Sequence, residues 1–423
     1  MVQVLKSAWA LLLGIGLLMI GNGMQGTLLG IRGALEGFTT FEMSIVTSAY
    51  FVGFLGGSRM APGMIRRVGH VRVFAALASL ISAVMILYPT LPNIAVWTAG
   101  RVLIGFCFSA VYVTAESWLN NAADNSNRGQ ALSLYMIVQT LGIVVAQALL
   151  LTADPSGFVL FVIPSILVSI AVTPILLSIT PTPAFETTKP MSLRELAGVS
   201  PLGCVGMFIL GGVFSAQFGM SAVYGAEAGL SVAQISLFVS MFFVGSIILQ
   251  YPIGWVSDRM DRRGLILIIA VIGAVGSVVG MLFGSVFSFL LVSAFIVGGM
   301  STPLYSLLLA HTNDFLAHDD MTAASGGLIF INGLGAILGP MITGWLMGTA
   351  FGPGGFYLFT AVLFVALAAY AGYRSVQRAS VAEEDRGSYV AIMPSATPVA
   401  MEYAQEYVIE SDLEEDEGTQ QQQ

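Results

Sequence analysis

The chain has 423 residues, 56% of them hydrophobic and only 9% charged. A soluble domain carries about 25% charged residues, so this composition excludes one and points to lipid as the solvent. The net charge of −8 is local: from 376 to 423 two arginines stand against eleven acids, leaving the rest nearly neutral.

Crossing a bilayer core of about 30 Å takes about 20 mostly apolar residues. With no barrel-like alternation, only helices satisfy their own backbone there. Twelve such runs are predicted, giving an all-α membrane protein. The first, 7–31, follows one lysine and lacks a small-x-small cleavage pattern, so it reads as a retained helix rather than a signal. It carries Asn22 and Gln25. The next are 39–60, 71–90 and 94–118, the last holding Arg101 and Glu116. Runs 129–152, with Gln139, and 157–180 complete a first set of six. After the proline-rich connection "TPTPAFETTKPMSLRELAGVS" come 201–223 with Gln217, 232–256, 264–285 and 287–311 with His311. Runs 321–348, with Asn332, and 355–375 close the second set. The 48 glycines suit closely packed membrane helices.

The predicted organisation is a six-helix half at 1–180, a linker at 181–200, a second half at 201–375 and a disordered acidic tail at 376–423. The tail is too polar to bury a core. Cys107 and Cys204 lie inside apolar runs without metal-ligand spacing, so packing is their default role and no metal or other cofactor is expected.

With a cytoplasmic N-terminus, 14 of the 16 lysines and arginines fall on the cytoplasmic side; Arg32 falls outside and Arg101 inside a span. The positive-inside rule therefore predicts both termini cytoplasmic, in a bacterial-type inner membrane.

The chain also repeats itself. "SIVTSAYFVG" (44–53) and "SLFVSMFFVG" (236–245) are 192 residues apart, and Gln25 matches Gln217 at the same offset. At offset 193, Gly142 matches Gly335 and Gln139 matches Asn332. Two parallel six-helix repeats are a known transporter plan, with a central site near the bilayer midplane.

The loop "GWVSDRMDRRG" (254–264) gathers five charges between two apolar runs. It resembles the signature loop of the major facilitator superfamily, roughly G-x-x-x-D-R-x-G-R-R. Gly254, Asp258, Arg259, Arg262 and Arg263 match it, and Asp261 replaces a glycine. Such a loop suits a gating latch: the glycine permits close helix approach, and Asp258 can sit at a neighbouring helix N-terminus. Plain positive-inside anchoring is the alternative for the arginines. The first-half loop "RMAPGMIRRVGHVR" departs from the pattern, with Arg66 where Asp258 would fall. Arg101-x-x-x-Gly105 is similar to the superfamily's motif in the fourth span, and "GNGMQGTLLGIRG" with "AESWLNN" looks most like its YcaD-like branch. The resemblance implies a carrier whose halves rock around a cavity lined by spans one, four, seven and ten, which would add Gln217.

Helix rise puts Arg101 about 10 Å below the external face and Asn22 about 22 Å above the cytoplasmic one, nearly the same depth. Gln25 lies just above and Gln139 nearer the middle of its span. An intramembrane arginine normally faces a cavity or a counter-ion; the alternative is that it snorkels to a headgroup. Asn22, Gln25, Gln139, Gln217 and Asn332 are candidate substrate contacts, although isolated amides also serve as interhelical glue. No carboxylate falls at the midplane. Glu116, Glu42 and His311 are the groups left to couple transport to a proton. "GAILGPMITG" (335–344) resembles an antiporter motif but lies in span eleven rather than five, which leaves helix packing as its reading.

No phosphate-cradling loop, metal cluster or nucleophile–base pair is present, so neither an enzyme nor an ATP-driven pump is expected. The expected protein is a monomeric secondary or facilitative transporter of a small organic solute, by reason of Arg101 an anionic one. Its partners are that solute, the lipid bilayer and at most a coupling ion such as H+, with no nucleic acid. A transporter-like sensor signalling through the acidic tail is the alternative; tail deletion would silence it and spare a transporter.

Overall fold

The computed structural model describes residues 2–122, 128–177, 191–316 and 318–377, together with 389, 391, 392, 397, 399 and 400 of the tail. Its helices are α1 (Val2–Leu35), α2 (Thr40–Val68), α3 (His70–Thr90), α4 (Ile94–Ala122), α5 (Arg128–Leu149) and α6 (Val159–Leu177) in the first half. A short α7 (Leu193–Val199) precedes α8 (Pro201–Ser215), a five-residue π-helical stretch (Ala216–Met220) and α9 (Ser221–Glu227). Then follow α10 (Val232–Ser257), α11 (Arg262–Phe283), α12 (Phe287–Asn313), α13 (His318–Met347) and α14 (Gly354–Gln377).

Among the described residues, eleven helical spans are long and apolar enough to cross a membrane, with α8, the π-stretch and α9 counting as one. The twelfth expected span, α2, is not among them. Its glycines, Ser58 and Arg59 dilute it, and it needs less lipid-facing surface because it packs against α4 and α13. The linker expected at 181–200 ends in α7, whose Ser192 and Glu195 form a capping box. Residues 178–190 lie outside the described residues.

Local signals set the ends. Thr39 and Ser231 cap α2 and α10 with capping boxes completed by Glu42 and Gln234. Gly69, at φ +84°, turns α2 into α3 where a β-carbon would be strained. Arg32, the arginine left outside by the positive-inside split, is held by Glu36 at 2.6 Å and by the Pro155 carbonyl at 3.1 Å.

The repeat is visible in the packing. A β-carbon on Gly53 would strike the Val102 carbonyl, and one on Gly105 the Tyr50 carbonyl, so α2 and α4 touch through backbone. At the repeat-equivalent positions, Gly245 meets the Phe295 carbonyl and Gly298 that of Phe242, joining α10 to α12 in the same way. Such small-residue contact is how membrane helices gain van der Waals attraction without a hydrophobic drive.

The two six-helix bundles face each other. At the end remote from the chain termini they are closed on one another: Gly30 abuts Ala222, Gly344 abuts Ser44, and Thr40 donates to Glu227 at 3.0 Å. At the other end the described tail residues lie between them. Ile392, Thr397 and Ala400 are buried, so this part of the tail departs from the solvated end expected of its composition.

Candidate functional site

Between the bundles lies a cavity of about 1250 Å³, its open mouth included. Its polar wall belongs to the first half. Asn22 and Gln25 stand one turn apart on α1, and Arg101 reaches them from α4. Arg101 Nη1 donates to Gln25 Oε1 at 2.6 Å, and Gln25 Nε2 donates to Asn22 Oδ1 at 3.1 Å. Asn22 Nδ2 donates to the Tyr112 hydroxyl at 2.8 Å.

Arg101 is 5% exposed, with its guanidinium 4.7 Å from the centre of the Tyr50 ring. Its Nε has no hydrogen-bond partner, and among the described residues no carboxylate pairs with it. A guanidinium that lines a cavity without a carboxylate partner is suited to an acceptor or an anion.

The wall across the cavity is aromatic and aliphatic. Phe214 and Phe218 stack at 5.9 Å with an interplanar angle of 5°, and Phe218 stacks on Phe243 at 5.1 Å. Val239 and Ile329 extend this face, and Asn332 is the one amide it contributes to the cavity lining. The Asn332 Nδ2 is committed to the Met207 carbonyl at 2.9 Å.

A family model described as Major Facilitator Superfamily matches this chain twice, over residues 11–224 and 202–399. The chain belongs to the major facilitator superfamily. The superfamily protein is 25% identical to the uncharacterized MFS-type transporter YcaD of Salmonella arizonae over 341 residues, 80% of this chain and 88% of that one. Its fold is similar to that of a mutant of the nucleoside transporter NupG, with a TM-score of 0.74 at 15% identity over 87% of this chain and 99% of that one. It is also similar to a bacterial homologue of the human lysosomal transporter Spinster in an inward-facing, occupied conformation, with a TM-score of 0.70 at 15% identity over 89% and 97% of the two chains. Membership favours carriage over the tail-signalling sensor.

Not every candidate lies at this site. Gln217 is fully buried but turned to α12, accepting from Ser301 at 3.1 Å and donating to the Val297 carbonyl at 3.4 Å. Span seven lines the cavity through Phe214 and Phe218 instead, and no α12 residue lines it, unlike the expectation for span ten. Gln139 is buried away from the cavity, beside Glu116 and Tyr135. The aromatic wall was missed from sequence, where phenylalanines in apolar runs carry no distinguishing mark.

Glu116 is 2% exposed and forms a separate polar centre. Tyr135 donates to its Oε1 at 3.0 Å, while the Thr397 backbone N–H, at 3.3 Å, and the Thr397 hydroxyl both donate to Oε2. Glu42 is a half-buried capping residue, accepting from the Thr39 N–H at 2.8 Å. His311 is buried beside Phe315, near Arg263 and Arg374.

The charged loop differs from the expected latch in one respect. Asp258 sits at the C-terminal end of α10, not at a helix N-terminus; Asp261, the residue in place of the family glycine, caps α11. Arg262, 2% exposed, donates to Asp314 and lies 4.0 Å from Asp258. Arg259 stacks over Trp255 at 4.2 Å, and Arg263 pairs with Asp261 at 3.4 Å. Asp258 also accepts from the Tyr389 N–H at 3.1 Å, and the Tyr389 ring fills the space beside Gly254. Burial holds the Tyr389 phenol protonated, well above its ordinary pKa.

Proposed function

We propose that this chain carries a small organic solute with an anionic or strongly hydrogen-bond-accepting group by alternating access of its two halves. The observation that carries the reading is Arg101: a buried guanidinium lining the cavity between the halves, paired with no carboxylate among the described residues. Both termini are placed on the cytoplasmic side of an inner membrane, from the distribution of basic residues. The mouth at the termini end then faces the cytoplasm. Asp258, Arg262 and Asp314 tie the ends of α10, α11 and α12 of the second half to one another at that mouth, where the charged loop can act as a latch. If transport is proton-coupled, Glu116 is the carboxylate best placed for it, being buried at that mouth. Glu42 is occupied as a helix cap.

A ligand-induced thermal-shift screen of purified protein against organic acids, sugars, nucleosides and lipophilic cations tests the reading. Hits are expected among the acids, weakening in the order wild type, Arg101→Lys, Arg101→Ala, because lysine keeps the charge and loses the planar fork. Hits confined to lipophilic cations, or acids bound equally by Arg101→Ala, would overturn it.

A further inference from the structure

The asymmetry of the cavity narrows the solute. We infer that it is an amphipathic organic anion, with its acidic head on Arg101 and an apolar, ring-bearing body against Phe214, Phe218 and Phe243; this rests on the anion reading above. The first-half wall offers the Arg101 guanidinium, whereas Phe218 stacks between Phe214 and Phe243 opposite it. The amide nitrogen of Asn332 is already engaged. A sugar or other polyol would bring hydroxyls to that wall and leave them unpaired, at about 1–3 kcal/mol for each buried unsatisfied group. A flat apolar ring instead gains offset or edge contact with the phenylalanines. The first-half amides orient Arg101 and stay close to saturated: Gln147, which also lines the cavity, accepts from Thr27 at 3.2 Å and donates to the Gly23 carbonyl. One anion-binding anchor therefore faces the stacked phenylalanines of the second half, with Tyr50, Phe51 and Phe54 of the first half adding aromatic lining.

Binding of four probes to the full-length protein tests this: 3-phenylpropionate, its uncharged amide, propionate and glucose. The acid with the ring is expected to bind at least about tenfold tighter than either truncated probe, and glucose not at all. Phe218→Ala should weaken the ring-bearing acid by about tenfold and leave propionate unchanged, while Phe218→Leu, which keeps bulk, recovers part of the loss. If propionate binds as well as the ring-bearing acid and only Arg101 variants matter, this inference fails and the anion reading stands. If the amide binds as well as the acid and Arg101→Lys changes nothing, the anion reading itself fails.

A different set of contacts carries a second inference. We infer that Tyr389, Ile392 and Thr397 of the tail plug the mouth at the termini end and slow the carrier's turnover. The Tyr389 hydroxyl accepts from Gln250 at 3.0 Å on α10, and its N–H goes to Asp258. Ile392 exchanges hydrogen bonds with Ser306 on α12, at 3.0 and 3.3 Å. Thr397 binds Glu116 on α4 of the other half. The described tail residues thus tie the halves together where alternating access requires them to part. Thr397→Asp sets a carboxylate against Glu116, and Tyr389→Ala removes the ring beside Gly254. In full-length protein lacking Cys107 and Cys204, each change should raise the maleimide labelling rate of a Leu132→Cys reporter, buried beside Ile392 and Ala400, several-fold and speed solute exchange. Unchanged labelling, or faster labelling with no gain in exchange, would overturn the plug.

Discussion

Arg101 is intelligible only with its neighbours. An arginine at the centre of a membrane helix costs at least about 2.5 kcal/mol unless something compensates it. Here Gln25 accepts one of its hydrogens and Tyr50 offers a ring face, while Nε is buried without a partner. Gln25→Leu should strip one acceptor from the buried guanidinium and lower stability by about 1–3 kcal/mol. The loss would appear as a lower melting temperature in detergent, largely recovered on adding a bound acid. A melting temperature equal to wild type would show that Gln25 does not hold the arginine. At the loop, Asp314→Ala leaves Arg262 buried without its closest carboxylate, a change worth about 3–5 kcal/mol for a broken buried pair. Asp258→Asn, at a half-exposed carboxylate, should cost less than about 1 kcal/mol and shift the balance of inward- and outward-open states. Thermal melting reads the first, and cysteine accessibility at both mouths the second.

At the scale of helices, the sequence shows where they lie but not which way they face. The depths of Arg101 and Asn22 were legible because rise per residue is fixed, and the structure brings the two together through Gln25. The azimuths of Gln217 and Gln139 were not. Each residue turns a helix by about 100°, and the π-helical stretch at 216–220 shifts the register at Gln217 itself. The glycines at 53, 105, 245 and 298 acquire meaning only in pairs. A β-carbon at Gly53 or Gly245 would drive two backbones apart, and overpacking of this kind costs about 1–3 kcal/mol. Gly53→Ala and Gly245→Ala should therefore lose folded yield to a similar extent. Gly63→Ala, which meets no atom within 4 Å, should be neutral or gain up to about 1 kcal/mol from helix propensity. Size-exclusion profiles of the three variants decide it, and equal profiles would mean that the glycine contacts are not what hold the pairs.

For the whole molecule, the duplicated pattern and the charged loop were enough to read a two-bundle carrier, and the family match over both halves agrees with that plan. The tail was legible only as composition. Its acids predict solvation, but a few neutral residues, Tyr389, Ile392 and Thr397, supply the contacts that dock it. The character of the cavity depends on both bundles at once: neither Arg101 nor the phenylalanines of the second half define a site alone. Counterflow in proteoliposomes tests this most directly, with radiolabelled 3-phenylpropionate outside and the unlabelled acid inside. The account predicts transient accumulation of label by wild-type protein, strongly reduced by Arg101→Ala and by Phe218→Ala. Binding of the acid in detergent without any counterflow, or counterflow indifferent to Arg101→Ala, would contradict it.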